Sequence, residues 1–331
     1  MSIIDNAVYV DGLRFANPNS LDQTYEVMDS CDGMAWIGIF RPDAAEMQSL
    51  AAEFSLHELA VEDAIKAHQR PKLERYDDVL FTVLRPARYF DETEAVEFGE
   101  LHIFTGKDFV ITIRHAETPG LASTRSRLES DPDLLAQGPE AVLYAILDQV
   151  VDDYKPVVQG LENDIDEIED QLFSGDPHVS RRIYQLSREV TQFQRAIHPL
   201  RGMLEKLKNG FEKYHVNVEL QRFLRDIEDH IEIVTAQADS FRDLLQNALI
   251  VDGTLTTNRQ NEASAAENQQ MKKISSWAAI LFAPSFVGSV YGMNFENMPE
   301  LHWSLGYPFA LALMFLVGLV MYLIFKKKTW L

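Results

Sequence analysis

The carboxamide of Asn294 stands at the end of an apolar, uncharged stretch, residues 274–293, which closes on Tyr291-Gly292-Met293-Asn294. Polar positions within the stretch include Ser275, Ser285 and Ser289. Ser285 and Ser289 are four apart, and Ser275, Phe282 and Ser289 are spaced by seven, so on a helix they share one stripe. A ring of neutral carboxamides at the end of such a stripe suits Mg2+. That ion is small, prefers oxygen and dehydrates reluctantly, so it travels with its waters. Carboxamides accept hydrogen bonds from those waters, whereas a carboxylate ring would hold the ion too firmly to release it. Gly292 removes side-chain bulk just below, where backbone carbonyls can face an axis, with Met293 between. Glu296 and Glu300 would concentrate cations near the mouth. The plainer reading of the serines is helix-to-helix packing.

These residues need elements that cross a membrane. Residues 274–293 and 307–325 contain no charged side chain. Each is close to the ~20 residues that cross a hydrocarbon core of about 30 Å. The connecting segment, 294–306, is too short to be a domain and has no Lys or Arg. Lys272 and Lys273 precede the first span, and Lys326, Lys327 and Lys328 follow the second. The positive-inside rule therefore puts both ends in the cytoplasm and the loop outside, with Trp277, Trp303 and Tyr307 as interfacial anchors. One hairpin cannot enclose water, so a conducting chain must form a closed ring of copies. The second span, rich in Leu and Val, suits the lipid-facing side.

The rest of the chain narrows the partners. A net charge of −21 argues against nucleic acid and against a polybasic lipid-binding surface. It suits a protein that meets cations, although acidity by itself also serves solubility. The lone cysteine, Cys31, excludes an internal disulfide and a cysteine-based metal cluster. The N-terminus has no basic region followed by an apolar one, so no secretory signal is expected. No Ser/His/Asp or Cys/His nucleophile pattern, phosphate loop or EF-hand occurs, so neither an enzyme nor an organic cofactor is expected. His57, Glu58, Glu62 and Asp63 read as structural, and His302 as solvent-exposed.

The fold class that follows is an α+β membrane protein, with an N-terminal α/β cytosolic domain, a long helical stalk and two C-terminal transmembrane helices per subunit. Strands are expected at 7–10, 35–40, 79–85, 100–104 and 109–113, with Gly106-Lys107-Asp108 as a hairpin turn. Helices open at Pro42-Asp43, running through Phe54, and then through Leu59 and Ile65. The α/β domain spans 1–136. A long acidic helical hairpin follows at 137–217, with one helix over 141–173. A second runs over about 179–208, kinked by Pro199 and ended by Asn209-Gly210. The stalk, 218–273, continues into the first span, 274–293. The loop is 294–306, the second span 307–325 and the basic tail 326–331. A helix of about 70 residues reaches about 100 Å, so partner helices should surround it. The acids from Glu162 to Asp170 read either as a solvated face or as a cation reservoir.

Tyr291-Gly292-Met293-Asn294-Phe295-Glu296, Met298-Pro299-Glu300-Leu301, Trp303, Gly306-Tyr307-Pro308 and Lys326-Lys327-Lys328-Thr329-Trp330-Leu331 resemble the CorA family of magnesium and cobalt transport proteins. His57-Glu58-Leu59-Ala60-Val61-Glu62-Asp63 and Gln69-Arg70-Pro71-Lys72-Leu73-Glu74 resemble its cytosolic domain. The resemblance covers most of the chain. It implies a homopentameric, funnel-shaped channel in a bacterial or archaeal inner (plasma) membrane, carrying Mg2+ and also Co2+ and Ni2+. It further implies that cytosolic Mg2+ binds carboxylates between neighbouring subunits and holds the pore shut, and Asp91 and Asp226 are the matching acids. Two features depart from the family pattern. The polar segment 243–272 is longer, which affects the inner-pore candidate Asn268, and Phe282 and Ala283 replace other hydrophobic pore residues. Zinc transporters of the ZntB kind resemble the chain overall but usually carry Ile in the signature, where Met293 stands. A membrane-anchored scaffold without transport would have no need of a polar stripe.

Overall fold

The computed structural model describes residues 3–118, 120–213, 216–294 and 298–331. In chain order the elements are β1 (Ile3–Val10), β2 (Leu13–Ala16), α1 (Leu21–Cys31), β3 (Met34–Phe40), α2 (Ala44–Glu53), α3 (Glu58–Lys66), β4 (Lys72–Tyr76), β5 (Val79–Leu84), β6 (Ala87–Phe90), β7 (Ala95–Phe98), β8 (Leu101–Thr105) and β9 (Phe109–Arg114). Helices follow: α4 (Ala122–Glu129), α5 (Pro132–Leu135), α6 (Pro139–Asp152), α7 (Tyr154–Ser174), α8 (Val179–Lys213), α9 (Val218–Tyr291) and α10 (Gly306–Lys327). Two compact units result, Met1–Ile250 and Val251–Leu331.

The first unit is built on a seven-stranded sheet of order β2-β1-β3-β9-β8-β5-β4. β3 and β9 pair in parallel and every other neighbouring pair is antiparallel. Strand period two sends Ile37, Ile111, Ile113, Phe81 and Phe104 to one face, where α1–α3 cover them with Leu21, Met28, Met47, Leu50 and Ala64. Trp36 is fully buried, with the Arg125 guanidinium 4.0 Å over its ring. Asp43 and Glu46 form a reciprocal capping box that starts α2 where the sequence reading placed it. His57 is the N-cap of α3: its Nδ1 accepts from the Leu59 N–H and its ring stacks on Tyr76 at 4.5 Å. That is the structural role expected of it.

Three helices share a seam with alternating spacings of four and three. It runs through Tyr154, Val158, Leu161, Ile165, Ile168 and Leu172 on α7, and Ile183, Leu186, Val190, Phe193, Ile197 and Leu200 on α8. On α9 it is Leu220, Leu224, Ile227, Ile231, Val234, Ala238, Phe241 and Leu245. This is the period of helices that pack knobs into holes. The pattern explains why α8 runs through Pro199 and on past Asn209-Gly210, where a stop was expected: Leu204, Leu207 and Phe211 remain buried on the seam. The helix expected over 141–173 is instead two helices, α6 and α7, interrupted at Asp153. Pro156 has no N–H to give the Asp152 carbonyl, which weakens the helix at that turn. Strands β2, β4, β6 and β7 and helices α1, α4 and α5 were not anticipated. β2 and β4 are the two edges of the sheet and lack a clean apolar alternation.

In the second unit the C-terminal part of α9 packs on α10 through small residues. A methyl added at Gly288 would meet Met314 Cε at 3.3 Å, and one at Gly318 would meet Pro284 Cγ at 3.7 Å. Close approach of this kind is how helices associate where no hydrophobic drive exists. α9 ends at Tyr291, so Gly292 and Met293, expected inside the first span, form its terminal turn. The Gly292 N–H still donates to the Gly288 carbonyl at 3.0 Å. A 3-10 turn, Pro299–His302, leads into α10. Gly306 is required there: a Cβ would lie 2.1 Å from the Glu300 carbonyl oxygen. At the C-terminus Trp330 stacks on Phe325 and carries the Lys328 ammonium 5.5 Å over its ring.

Candidate ion path and regulatory acids

The side of α9 that meets α10 is fixed by Pro284 and Gly288. Ser285 and Ser289 follow each by one position, about 100° further round the helix. Both are exposed, as are Ser275 and Phe282, so the four predicted stripe residues lie off the α10 contact. The buried serine is instead Ser276, whose hydroxyl has no partner. Ser289 Oγ donates to the Ser285 carbonyl at 3.0 Å. Its proton is thus used within the helix, and its lone pairs remain free to accept hydrogen bonds from water. Asn294 and Met293 are exposed beyond the helix end, and Glu300 is exposed on the 3-10 turn. Glu296 lies outside the described residues. Gly292 has room for a methyl group, with its nearest neighbour, the Gly288 oxygen, at 3.4 Å. Packing within the chain therefore does not explain a glycine there. Asn268 is exposed on α9.

The candidate regulatory acids occupy different elements of the first unit. Asp91 is exposed in the turn between β6 and β7. Asp226 is exposed on α9, one turn beyond Phe223, which stacks on Tyr144 of α6 at 5.0 Å. Burial, and then the charges of Asp148 and Asp226, push the Tyr144 phenol up to about 12. Asp148 is already paired with Arg127 at 2.7 Å, and Asp152 lies 3.7 Å from His230. Asp226 thus sits on an acidic surface formed by α6 and α9. Among the described residues no group of three or more His, Cys, Asp or Glu side chains forms a metal-holding cluster.

The acidic run on α7 is not uniform. Glu162, Asp166, Glu167, Glu169 and Asp170 are exposed, while Asp164 is buried. Tyr89 Oη donates to Asp164 Oδ2 at 3.0 Å, and the Tyr89 ring covers Gly160, where a Cβ would lie 2.4 Å from it. Arg182 reaches Glu167 at 2.6 Å, Glu94 at 2.8 Å and Asp164 at 3.7 Å. Glu189 accepts from the Val96 N–H at 3.1 Å. These contacts tie the β6–β7 hairpin, and so Asp91, to α7 and α8. Sequence reasoning missed this anchor. Its one local signal is Gly160, a glycine inside an otherwise regular apolar seam.

The α/β domain is followed by long heptad helices and by two helices long and apolar enough to cross a membrane. Residues 32–327 match the family described as CorA-like Mg2+ transporter protein, and the chain belongs to that family. The YfjQ protein of Bacillus subtilis is 33% identical over 300 residues, covering 89% of each chain. The cobalt/magnesium transport protein CorA of Thermotoga maritima is 30% identical over 301 residues, covering 89% of this chain and 83% of that one. The solved structure of the CorA magnesium transporter from Methanocaldococcus jannaschii shares the fold. Its TM-score is 0.63 at 20% identity, covering 90% of this chain and 92% of that one.

Proposed function

We propose that copies of this chain assemble into a ring, a homopentamer by family resemblance, whose first spans line a path for hydrated Mg2+, with Co2+ and Ni2+ as secondary ions. The observation that carries the reading is the exposure of Ser275, Phe282, Ser285 and Ser289 on the part of α9 that α10 leaves open. In lipid such a surface is unfavourable alone and favourable when it lines water. Asn294 then offers acceptors to the hydration shell at the outer end, and Glu300, with Glu296, raises the local cation concentration. Met293 in the signature favours Mg2+ over the zinc-carrying alternative.

Closure follows from charge. Asp226 and Asp91 of neighbouring subunits would repel each other when no cation is present, and a bound Mg2+ reverses that sign and links them. Binding favours the closed ring by its difference in affinity for the two states. The decisive experiment is ion flux into liposomes holding purified protein, with Mg2+, Co2+, Zn2+ and Na+ compared. Asn294→Ala should abolish Mg2+ flux while light scattering still reports the parent oligomer. Unchanged flux in that variant would remove the filter assignment. A mass of one or two chains would rule out the central pore and favour an anchored scaffold.

A further inference from the structure

A cavity of about 580 Å³ lies in the first unit, and none of the ion-path residues or regulatory acids lines it. Its floor is the sheet face that α1–α3 leave uncovered. β5 sends Phe81 and Val83 into the core beneath α1–α3, so Leu80 and Thr82 lie on the opposite face. Thr105 on β8 pairs with Leu80, and Leu73 on β4 pairs with Thr82, so both share that face. There α6 lies against β8 and α8 against β4. Leu143, Leu207 and Phe211 from these helices complete the apolar walls with Leu73 and Leu80. A concave, largely apolar space of this size with a few polar groups is the form that small-molecule sites take.

Three further observations say what the space takes. Gly210 lines it from within α8, and a Cβ added there would meet nothing within 4 Å. Glycine is among the poorest helix formers, and packing does not require it here; the missing side chain leaves the cavity open. Thr105, another lining residue, is 5% exposed, and its hydroxyl is buried without a partner. The charged side chains on the lining are three cations, Arg75, Lys107 and Lys206, against two acids, Asp78 and Glu140. Burial raises the Glu140 pKa, and the charge of Arg75 opposes that rise, so these two offset each other. Lys107 and Lys206 are exposed and form no ion pair among the described residues. The cavity thus carries a positive excess beside apolar walls, in a chain whose net charge is −21.

We propose that this cavity binds a small amphipathic organic anion. Its apolar body, a ring or a short chain, sits on Leu80, Leu143 and Phe211, and its phosphate or carboxylate is held by Lys107 and Lys206. A nucleotide and a short fatty acid both have this chemistry. The site is separate from the ion path, and its occupant is not the transported ion.

The test is equilibrium dialysis of naphthyl phosphate against the full-length protein in an uncharged detergent. Saturable, stoichiometric binding is expected. Lys107→Glu combined with Lys206→Glu, both at exposed positions, should weaken it about tenfold. Glu140→Gln should tighten it, because a negative charge beside the anion is removed while an acceptor is kept. Gly210→Phe should abolish binding by filling the space, with the melting temperature maintained because phenylalanine is the better helix former. Competition then separates the sources: displacement of the probe by AMP points to a nucleotide, displacement by decanoate to a fatty acid. The proposal is overturned if the probe does not bind saturably, if the lysine variant or a folded Gly210→Phe protein binds it as the parent does, if Glu140→Gln weakens binding, or if neither AMP nor decanoate displaces it.

Discussion

Replacing Asp164 with Asn should make the β6–β7 hairpin more stable at neutral pH, although it removes a charge that faces Arg182. The Asp164 side chain is 5% exposed. Burial is the largest influence on it and pushes its pKa from 3.8 to about 6; Glu94 and Glu167 push the same way, while Tyr89 and Arg182 oppose. The folded state thus holds the proton more tightly than the unfolded state does. The associated stability is complete below about 3.8 and is lost as pH rises through about 6. At about 1.4 kcal/mol per tenfold change, ionised Asp164 leaves the folded state about 3 kcal/mol less stable at pH 8 than its protonated form. Asn is a neutral near-isostere that keeps an acceptor for Tyr89, so Asp164→Asn should recover up to about 3 kcal/mol at pH 8. The difference should shrink by about 1.4 kcal/mol at pH 5, where the parent regains part of its proton. Native-state hydrogen exchange of the amides paired between β6 and β7 reads this locally. Protection that is equal in parent and variant at pH 8, or lower in the variant, would refute the reasoning. So would a difference independent of pH.

Asp226→Ala, alone or with Asp91→Ala, should raise the Mg2+ concentration needed for protection against protease; an unchanged protection curve would sink the sensor assignment. Gly292→Ala should fold and assemble with its melting temperature little changed, because a methyl has 3.4 Å of clearance within the chain. Its Mg2+ flux should nonetheless fall, since the need for glycine would come from neighbouring copies or from the ion. Normal flux in Gly292→Ala would leave that residue without a role in the path.

Much of the fold was legible in the chain because burial demands apolar side chains at fixed periods. The strands at the middle of the sheet, β3, β5, β8 and β9, are mostly apolar, and α8 and α9 carry a repeat of four and three. The two uncharged stretches and their flanking lysines likewise determined which segments could cross a membrane, since hydrocarbon tolerates little else. The stripe of Ser275, Phe282, Ser285 and Ser289 was legible because it follows from helical geometry alone.

Tertiary structure decided what depends on residues far apart in the chain. β2 and β4 are strands because the sheet supplies a partner, not because their own pattern requires it. The continuation of α8 past Asn209-Gly210 is set by the seam it shares with its neighbours. Asp164 looked like one more acid on a solvated helix until Tyr89, 75 positions earlier, closed over it. A period along one element reports which side is buried. The protonation of a buried polar group depends on which distant groups the fold brings within hydrogen-bonding distance, and that information is absent from any local stretch of sequence.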